Sequence, residues 1–416
     1  MIDRREWLKR SLGGGLAAAA GVSWNRATAQ EPNRAAAKAK YEARRPTTLD
    51  SDRQALRPAL EPWEARLAND PQIERLLELV RAEHKLPGMI GGIIKGPALV
   101  AIGATGVRRL GGTDPFQITD QIHLGSCTKA MTATLLGILF ERRMLNPSSA
   151  LAEVFPEYAE RMHPDFKTVT LSHLLTHRAG LPHDAANWRR LPGRTPTEKR
   201  YAALEELTAS RPTFKPGTKH GYSNAGYVLA GLMAEQVTGV PWEVLIRQEV
   251  FTPLNMFSAG FGPPGEGSSG ESDQPYGHHL VHGKVEPIRY DNAPCMGPAG
   301  TVHCTMADWA KFAILHLRGE RDGSRILRRE TLRDLHTPPR GTDCASGWFV
   351  FSRPWAGGRA LTHSGSNTYW YATIWLAPAR DFGLLVATNQ GGDPADKACD
   401  QAIGALIRHR EAAFPG

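Results

Sequence analysis

Apolar residues recur along the chain with two different spacings, and the stretch from 70 to 102 shows both. Asp70-Pro71 is typical of a helix start, and apolar positions over 73–80 recur every three to four residues, which predicts a helix. Extended apolar runs follow at 89–94 and 99–102. Lys95-Gly96-Pro97 separates the two runs with turn-forming residues, so we expect a β-hairpin.

The two spacings alternate through the rest of the chain. Residues 118–124 have the pattern of a third strand, and residues 126–142 are apolar on nearly every side, which predicts a buried helix. Between 145 and 290, helical stretches are punctuated by Pro and Gly, whereas 347–388 is rich in β-forming residues. A last helix is predicted over 394–409. Strands at both ends around a helical middle predict an α/β (α+β) fold with an inserted, mostly helical region.

This order of elements divides the chain into parts. We expect residues 61–144 and 291–416 to form one α/β domain, and residues 145–290 to form the helical insert domain. Residues 30–60 contain alanine, arginine, lysine and three prolines. We predict that they form a tether ahead of the folded part.

The first 29 residues have the features of an export signal. Arg4-Arg5 lies ahead of a weakly apolar stretch over 11–24, and Ala27-Thr28-Ala29 offers small residues at a cleavage position. A disordered basic tail or a short membrane anchor is the alternative interpretation. We expect residues 1–29 to be removed and the protein to be exported, by the twin-arginine route, to the periplasm.

Composition narrows the class of function. The 416 residues are 41% hydrophobic and carry a net charge of +8, part of which lies in the first 29 residues. No stripe of arginine and lysine with interleaved aromatics occurs, so a nucleic-acid partner is not expected. No apolar run reaches the roughly 17–25 residues that a membrane span needs, so the mature protein is expected to have none. Five cysteines are too few for a disulfide framework, and a pairing of Cys295 with Cys304 after export is left open.

Ser126 and Lys129 open the predicted buried helix at a spacing that suits nucleophilic catalysis. A serine hydroxyl needs a neighbouring base, and side chains three apart on a helix lie on one face, so the Lys129 amine can reach the Ser126 oxygen. Burial disfavours the ammonium and lowers the pKa of the lysine. Alone the pattern is weak, because Ser-x-x-Lys arises by chance about once in a chain of this length.

Three further residues can handle protons or bind an amide. Tyr222, as a phenolate beside a lysine, can act as a general base, and the Asn224 amide both donates and accepts hydrogen bonds. His363 lies at the end of a predicted strand and belongs to the residue type that titrates near neutral pH. Each has a structural alternative: a buried loop tyrosine, a turn asparagine, and a histidine bonded to backbone. The ordered occurrence of all three after Ser126 favours catalysis.

Two other patterns suggest different chemistry. His173 and His177 are four residues apart, a spacing that can hold zinc on one helical face, but Leu174 stands where the metalloprotease motif has glutamate. Because that glutamate is missing, we expect no metal. No Gly-x-Ser-x-Gly surrounds Ser126, which argues against an α/β-hydrolase.

Several segments together resemble one family, the serine β-lactamases and penicillin-binding-protein-like enzymes, in the branch with class C β-lactamases, DD-carboxypeptidases, D-aminopeptidases and esterases. The segments that carry the resemblance, over about residues 73–405, are Ser126-Cys127-Thr128-Lys129, Leu174-Leu175-Thr176-His177-Arg178-Ala179-Gly180-Leu181, Phe214-Lys215-Pro216-Gly217, Tyr222-Ser223-Asn224, Val237-Thr238-Gly239, Pro253-Leu254-Asn255-Met256, Pro298-Ala299-Gly300-Thr301 and His363-Ser364-Gly365. The resemblance implies an antiparallel β-sheet flanked by helices and a serine hydrolase without a cofactor.

The resemblance also implies roles for the residues. Ser126 would be the acylated nucleophile, Lys129 its activating partner and Tyr222 the general base and acid. Asn224 would hold the substrate amide. Gly365 would let the substrate approach its strand.

The backbone N–H groups of Ser126 and Ser366 would then form the oxyanion hole. His363 departs from class C β-lactamases, which usually have lysine there, and it is similar to peptidases and esterases instead. The constant positive charge of a lysine, which binds a substrate carboxylate, would thereby be replaced by a histidine charge that is lost above about pH 6.5.

These roles imply an acyl-enzyme hydrolase acting on D-amino-acid peptides, amides or small esters. The alternatives are a β-lactamase or penicillin-binding protein with slow turnover, a non-catalytic ligand-binding relative, and a zinc hydrolase. The oligomeric state is left open.

Overall fold

The computed structural model describes residues 27–45, 61–265 and 273–413. Most of the predicted export signal, residues 1–26, therefore lies outside the described residues. Strands and helices are numbered here in chain order. The strands are β1 Gly88–Lys95, β2 Ala98–Gly106, β3 Gln121–His123, β4 Gly260–Phe261, β5 Gly277–Val281, β6 Lys284–Ile288, β7 Val302–Thr305, β8 Phe349–Arg353, β9 Gly358–Ser366, β10 Tyr371–Ala377 and β11 Phe382–Thr388.

The helices include several short ones. They are α1 Ala27–Arg44, α2 Pro71–Glu83, α3 Thr128–Glu141, α4 Leu151–Val154, α5 Pro164–Lys167, α6 Leu171–Leu175, α7 Pro196–Thr208, α8 Asn224–Thr238, α9 Trp242–Ile246, α10 Gly297–Gly300, α11 Met306–Asp322, α12 Arg329–Leu335 and α13 Asp393–Ala413.

The main sheet joins strands from the two ends of the described chain. Its six strands lie in the order β2-β1-β11-β10-β9-β8, with antiparallel neighbours throughout. Helices α2 and α13 pack on one face and α11 packs on the other. This arrangement confirms the predicted antiparallel sheet flanked by helices, and the hairpin of β1 and β2 is confirmed with it.

The predicted start of α2 and the predicted burial of α3 are both confirmed. The Asp70 carboxylate accepts hydrogen bonds from the backbone N–H groups of Gln72 (2.8 Å) and Ile73 (3.4 Å), which caps α2. Every residue of α3 from Thr128 to Leu139 is buried, as expected from its apolar character on all sides. The helix therefore lies inside the molecule and presents its first turn to the sheet.

The predicted third strand over 118–124 is only partly correct. Only Gln121–His123 forms a strand, and it joins β7 and β4 in a separate three-stranded sheet. The Asp120 carboxylate holds the preceding segment in a turn, because it accepts from the Gln117 N–H at 2.9 Å and pairs with Arg108. The segment 145–290 contributes not only helices but also β4, β5 and β6, and its separation as a domain stays a prediction.

The predicted tether over 30–60 differs from the structure in its first half. Residues 30–44 belong to α1, which packs against α8. Tyr41 is fully buried there, and its hydroxyl donates to the Glu249 carboxylate. A buried aromatic ring and a buried hydrogen bond outweigh the loss of chain entropy, which is why this part of the segment is ordered.

Candidate active site

The sharp turn before α3 places Ser126 at the sheet. A single turn of 3-10 helix, Gly125–Cys127, precedes α3, and Gly125 has a φ of +50°, a conformation that favours glycine. A Cβ on Gly125 would collide with the backbone nitrogen of Ser366 in β9. The turn that carries the predicted nucleophile is therefore packed backbone against backbone on the strand that the resemblance assigns to the oxyanion hole.

Lys129 lies one turn further along and is fully buried. Its Nζ is 3.0 Å from Ser126 Oγ, 2.7 Å from Asn224 Oδ1 and 2.7 Å from the Ala299 carbonyl oxygen. Burial lowers the pKa of Lys129 from 10.5 to about 7, against the opposing charge of Asp184. The amine is therefore partly neutral at neutral pH.

The neutral form of Lys129 has a defined orientation. The Ala299 carbonyl and Asn224 Oδ1 can only accept hydrogen bonds, so the two N–H bonds of a neutral amine go to them. The remaining lone pair then faces the Ser126 hydroxyl, which can donate its proton. This geometry suits a base directed at one nucleophile.

Tyr222 reaches the same serine from the helical region. Its side chain hydrogen-bonds to Ser126, and Lys129 Nζ lies 4.9 Å from the centre of its ring. Burial raises the pKa of Tyr222 above its usual 10. The phenol therefore keeps its proton, which favours a donor and disfavours the phenolate base that the sequence suggested.

Asn224 is the first residue of α8, and both ends of its amide are engaged. Oδ1 accepts from Lys129, and Nδ2 donates to Asp184 Oδ1 at 3.1 Å. Ser223 caps the helix by accepting from the Gly226 N–H at 3.0 Å, which fixes the Asn224 position. In the structure the Asn224 side chain holds Lys129, and its contact with a substrate amide stays a prediction.

Asp184 is a site residue that the sequence analysis missed. It accepts hydrogen bonds from Trp188 Nε1 (2.9 Å), from Asn224 and from the exposed His183 ring. Burial alone would raise the pKa of Asp184, but the hydrogen bonds, above all that of His183, lower it. The only available signal was its position in Leu181-Pro182-His183-Asp184, directly after one of the family-like segments.

His363 lies on β9 beside this group, and its surroundings favour the neutral ring over the charged one. Burial lowers the pKa of His363 to about 3, and the nearby Lys129 charge acts in the same direction. Nδ1 lies 2.8 Å from the Gly347 carbonyl oxygen, so it carries the proton and donates it there. The ring is therefore neutral, in the backbone-bonded state that was the structural alternative.

Gly365 has a packing role in addition to the substrate approach that the resemblance implies. A Cβ at this position would lie 2.5 Å from the Ser126 backbone nitrogen and would collide with the Leu124 carbonyl. Glycine is thus required for the approach of the Ser126 turn, not only for the approach of a substrate. Ser366 follows it at the exposed end of the strand.

The arrangement of His173 and His177 does not support zinc binding. His173 Nδ1 accepts from the Thr170 N–H, and His177 Nδ1 accepts from the Ser223 N–H, both at helix starts. Among the residues that the structure describes, no group of three His, Cys, Asp or Glu side chains is placed to hold a metal ion. His177 instead packs its ring 4.3 Å from that of Tyr222, between centroids.

The cysteines in the described residues are free thiols. Cys295 and Cys304 are separate, buried free thiols, so the possible pairing is not present. Cys127 is buried with Sγ 3.5 Å from the His363 carbonyl oxygen, pointing away from the nucleophile. Within the described ranges, no helix has both the length and the apolar character required to cross a bilayer.

A serine and a buried lysine at the start of a buried helix, set against an antiparallel sheet, define a β-lactamase-fold serine hydrolase. The family model described as Beta-lactamase matches residues 73–407, and the chain belongs to this family. This match confirms the resemblance seen in the sequence.

Individual relatives agree with the family. The chain is 26% identical over 329 residues to "Penicillin-binding protein 4" of Amycolatopsis lactamdurans, covering 76% of this chain and 84% of that one. The octameric penicillin-binding protein homologue from Pyrococcus abyssi superposes with a TM-score of 0.67 at 26% identity, covering 81% and 77% of the two chains. D-alanine carboxypeptidase AmpC from Burkholderia cenocepacia gives 0.65 at 20% identity, covering 80% and 98%, which shows the fold alone.

Proposed function

We propose that this chain is an exported serine hydrolase that forms an acyl-enzyme on Ser126 and acts on D-amino-acid peptides, D-amino-acid amides or small esters. The observation that carries the proposal is the 3.0 Å contact between Ser126 Oγ and the amine of Lys129. That amine has a pKa of about 7, so it can accept a proton under ordinary conditions.

Acylation begins with proton transfer between these two groups. The neutral Lys129 amine takes the hydroxyl proton as Ser126 Oγ attacks the substrate carbonyl. The Tyr222 phenol, hydrogen-bonded to Ser126, is placed to donate its proton to the leaving group, and the Lys129 ammonium resupplies that proton. Water then attacks the acyl-enzyme, the same proton transfers are repeated, and Ser126 is released. The backbone N–H groups of Ser126 and Ser366 serve the developing oxyanion.

The neutral state of His363 supports substrates that are not anchored by a carboxylate. A lysine at this position would supply a fixed positive charge, whereas His363 with a pKa of about 3 supplies none. Esters and amides need no such anchor, which favours them over penicillins and over peptides with a free terminal carboxylate.

The proposal is tested with a matched substrate panel. We expect short-chain esters and D-aminoacyl amides to give higher kcat/KM than D-Ala-D-Ala peptides and penicillins, and Ser126→Ala to abolish turnover of all four. Slow penicillin turnover with stable acylation, and no ester or amide hydrolysis, would instead favour a penicillin-binding protein. A protein that binds these ligands without turning any of them over would be a non-catalytic relative.

Export is proposed from Arg4-Arg5 and the small residues at Ala27-Thr28-Ala29. Cleavage after Ala29 would leave most of α1 on the mature protein, including the buried Tyr41. We expect fractionation of the native host to give a periplasmic protein that begins at Gln30, and Arg4→Lys with Arg5→Lys to retain the precursor in the cytoplasm. An unprocessed wild-type protein would contradict the proposal.

A further inference from the structure

A buried histidine and a buried aspartate lie directly behind the turn that carries Ser126. His123 is the last residue of β3 and is fully buried, and Asp291 is nearly so. His123 Nδ1 accepts from the Gly125 N–H at 3.1 Å, and its Nε2 lies 2.9 Å from Asp291 Oδ2. The pair thus connects to the residue immediately before Ser126.

The same aspartate reaches the end of strand β9. Asp291 Oδ1 accepts from Asn367 Nδ2 at 2.8 Å. Asn367 follows Ser366, and its Oδ1 accepts from the N–H groups of Tyr369 (3.1 Å) and Trp370 (3.0 Å), which fixes the turn between β9 and β10. One carboxylate therefore joins the nucleophile turn to the segment that contains Ser366.

We infer that His123 and Asp291 are positioning residues that hold the backbone N–H groups of Ser126 and Ser366 in register as an oxyanion hole. The inference rests on the proposed acyl-enzyme function. The two segments touch through Gly125 and Gly365, where no side chain intervenes, so a small shift of either one moves both amide nitrogens. A shift of about 1 Å at a catalytic centre is enough to cost a large factor in rate.

The hydrogen-bond directions require one tautomer of His123. Because Nδ1 accepts from the Gly125 N–H, the ring proton must lie on Nε2, where it donates to Asp291. The neighbouring charged or titratable groups include His303 on the paired strand β7, whose Nδ1 is bonded to the Gly262 carbonyl at 2.8 Å, and Arg189, whose guanidinium donates to the Asp291 backbone carbonyl. Asp291 thus selects the tautomer of His123 and, through it, the position of the nucleophile turn.

Asp291→Asn breaks this chain of hydrogen bonds, whereas the size and shape of the side chain stay nearly the same. If the NH₂ group of the introduced amide faces His123, the ring must adopt the other tautomer and lose its bond from Gly125. If the NH₂ group faces Asn367, two donors oppose each other there. We expect kcat to fall about 10- to 100-fold with KM within about threefold, because the lost interaction is made in the transition state.

The matched control is Asp308→Asn. Asp308 is also buried and paired, with Lys311 Nζ at 2.8 Å and the Ser258 N–H at 2.7 Å, but it lies at the start of α11. We expect this variant to lose thermal stability without a comparable loss of kcat. An equal fall of kcat in both variants would overturn the inference, because it would then reflect general destabilisation.

Two substitutions of His123 each keep one of its two hydrogen bonds and remove the other. Asn places an amide oxygen where Nδ1 lies and can still accept from Gly125, whereas Gln reaches the Nε2 position and bonds to Asp291 only. We expect both variants to lower kcat at least tenfold, because each breaks one of the two links between the Ser126 turn and Asp291. Wild-type kcat in both variants would contradict the positioning role even if Asp291→Asn does not fold.

A fluorophosphonate reaction distinguishes failure of this inference from failure of the proposed function. If the wild-type protein is not phosphonylated at Ser126, the proposed function itself fails. If Ser126 is labelled and Asp291→Asn is labelled at the wild-type rate, only the positioning role is wrong. We expect labelling of Ser126 in both proteins, at least tenfold slower in the variant.

Discussion

The chemistry of Lys129 comes from its surroundings and not from the residue type. A solvent-exposed lysine is charged at neutral pH and has no lone pair to offer. Burial inside α3 removes the water that stabilises the ammonium, and two pure acceptors take up the N–H bonds of the neutral amine. Asp184, linked to Lys129 through Asn224, opposes this shift and keeps the pKa near 7.

The pH dependence of catalysis tests this assignment. As the pH rises through about 7, Lys129 loses its proton and becomes able to accept that of Ser126, so we expect kcat/KM to rise to a plateau. His363, with a pKa of about 3, stays neutral throughout that range. His363→Asn should therefore leave the midpoint of the rise unchanged in a pH profile, whatever its effect on the plateau. Loss of the rise in this variant would assign it to His363.

The sequence indicates residues whose partners are close along the chain and misses those whose partners are distant. Ser126 and Lys129 share a helical face, so their contact follows from spacing alone. Asp184, His123 and Asp291 gain their roles from contacts across 40 to 168 positions, which no local pattern encodes. The neutral state of His363 could not be predicted for the same reason, because the burial of a strand residue depends on what packs over it.

At the scale of elements, the contact between the Ser126 turn and β9 is the most constrained part of the site. We expect Gly365→Ala to lower kcat/KM more than 100-fold, because the added Cβ must displace the Ser126 turn or the strand. The control is Gly404→Ala in helix α13, where the added Cβ would meet only Arg408, at 3.5 Å. That variant should keep wild-type kcat/KM and be as stable or slightly more so. Equal activity of Gly365→Ala and wild type would contradict this packing.

A buried ion cluster joins the helices of the inserted region. Arg200 on α7 is fully buried and pairs with Glu235 on α8 at 2.6 Å and with Glu243 on α9. We expect Arg200→Met to lower the free energy of unfolding by about 3–5 kcal/mol, because Glu235 is left buried without its partner. Arg321→Met, which removes exposed ion pairs with Asp322 and Asp381, should leave the free energy of unfolding nearly unchanged. Chemical denaturation of both variants checks the difference, and equal costs would contradict it.

The elements themselves could largely be predicted from the sequence. Asp70-Pro71 marks the start of α2, and the turn at Lys95-Gly96-Pro97 joins β1 and β2 as expected. The strand at 118–124 was predicted too long, because its early residues are held by Asp120 and Arg108 in a turn that depends on side-chain contacts. The joining of strands from the two ends of the chain was predicted from the order of elements, with strands on both sides of a helical middle.

At the scale of the whole molecule, α1 ties the start of the described chain to the helical region. Its composition suggested a tether, because the single large apolar anchor, Tyr41, lies among alanines and charged residues. The anchor has a partner only in the folded protein, where Glu249 accepts from Tyr41 and also pairs with Arg45 at 3.2 Å and Arg142 at 2.5 Å. The helix is therefore part of the fold although it precedes the family match at residue 73.

Replacement of Tyr41 measures what this helix contributes. We expect Tyr41→Ala to lower the free energy of unfolding by about 3–5 kcal/mol, because a buried aromatic ring is lost and Glu249 loses a donor. The exposed Tyr290 supplies the control, and Tyr290→Ala should change stability by about 0.5 kcal/mol or less. Equal stability of the two variants in urea would show that α1 does not contribute to the fold.

The central claim is that Ser126 is a nucleophile activated by a neutral Lys129, and covalent labelling tests it most directly. The protein is treated with a fluorophosphonate across the pH range 5 to 9, and the adduct is mapped by peptide mass spectrometry. We predict one adduct, on Ser126, that forms faster as the pH rises through about 7 and that is lost in Ser126→Ala and strongly slowed in Lys129→Met. Labelling that persists in Ser126→Ala, or an adduct mapped to another residue, would contradict the account.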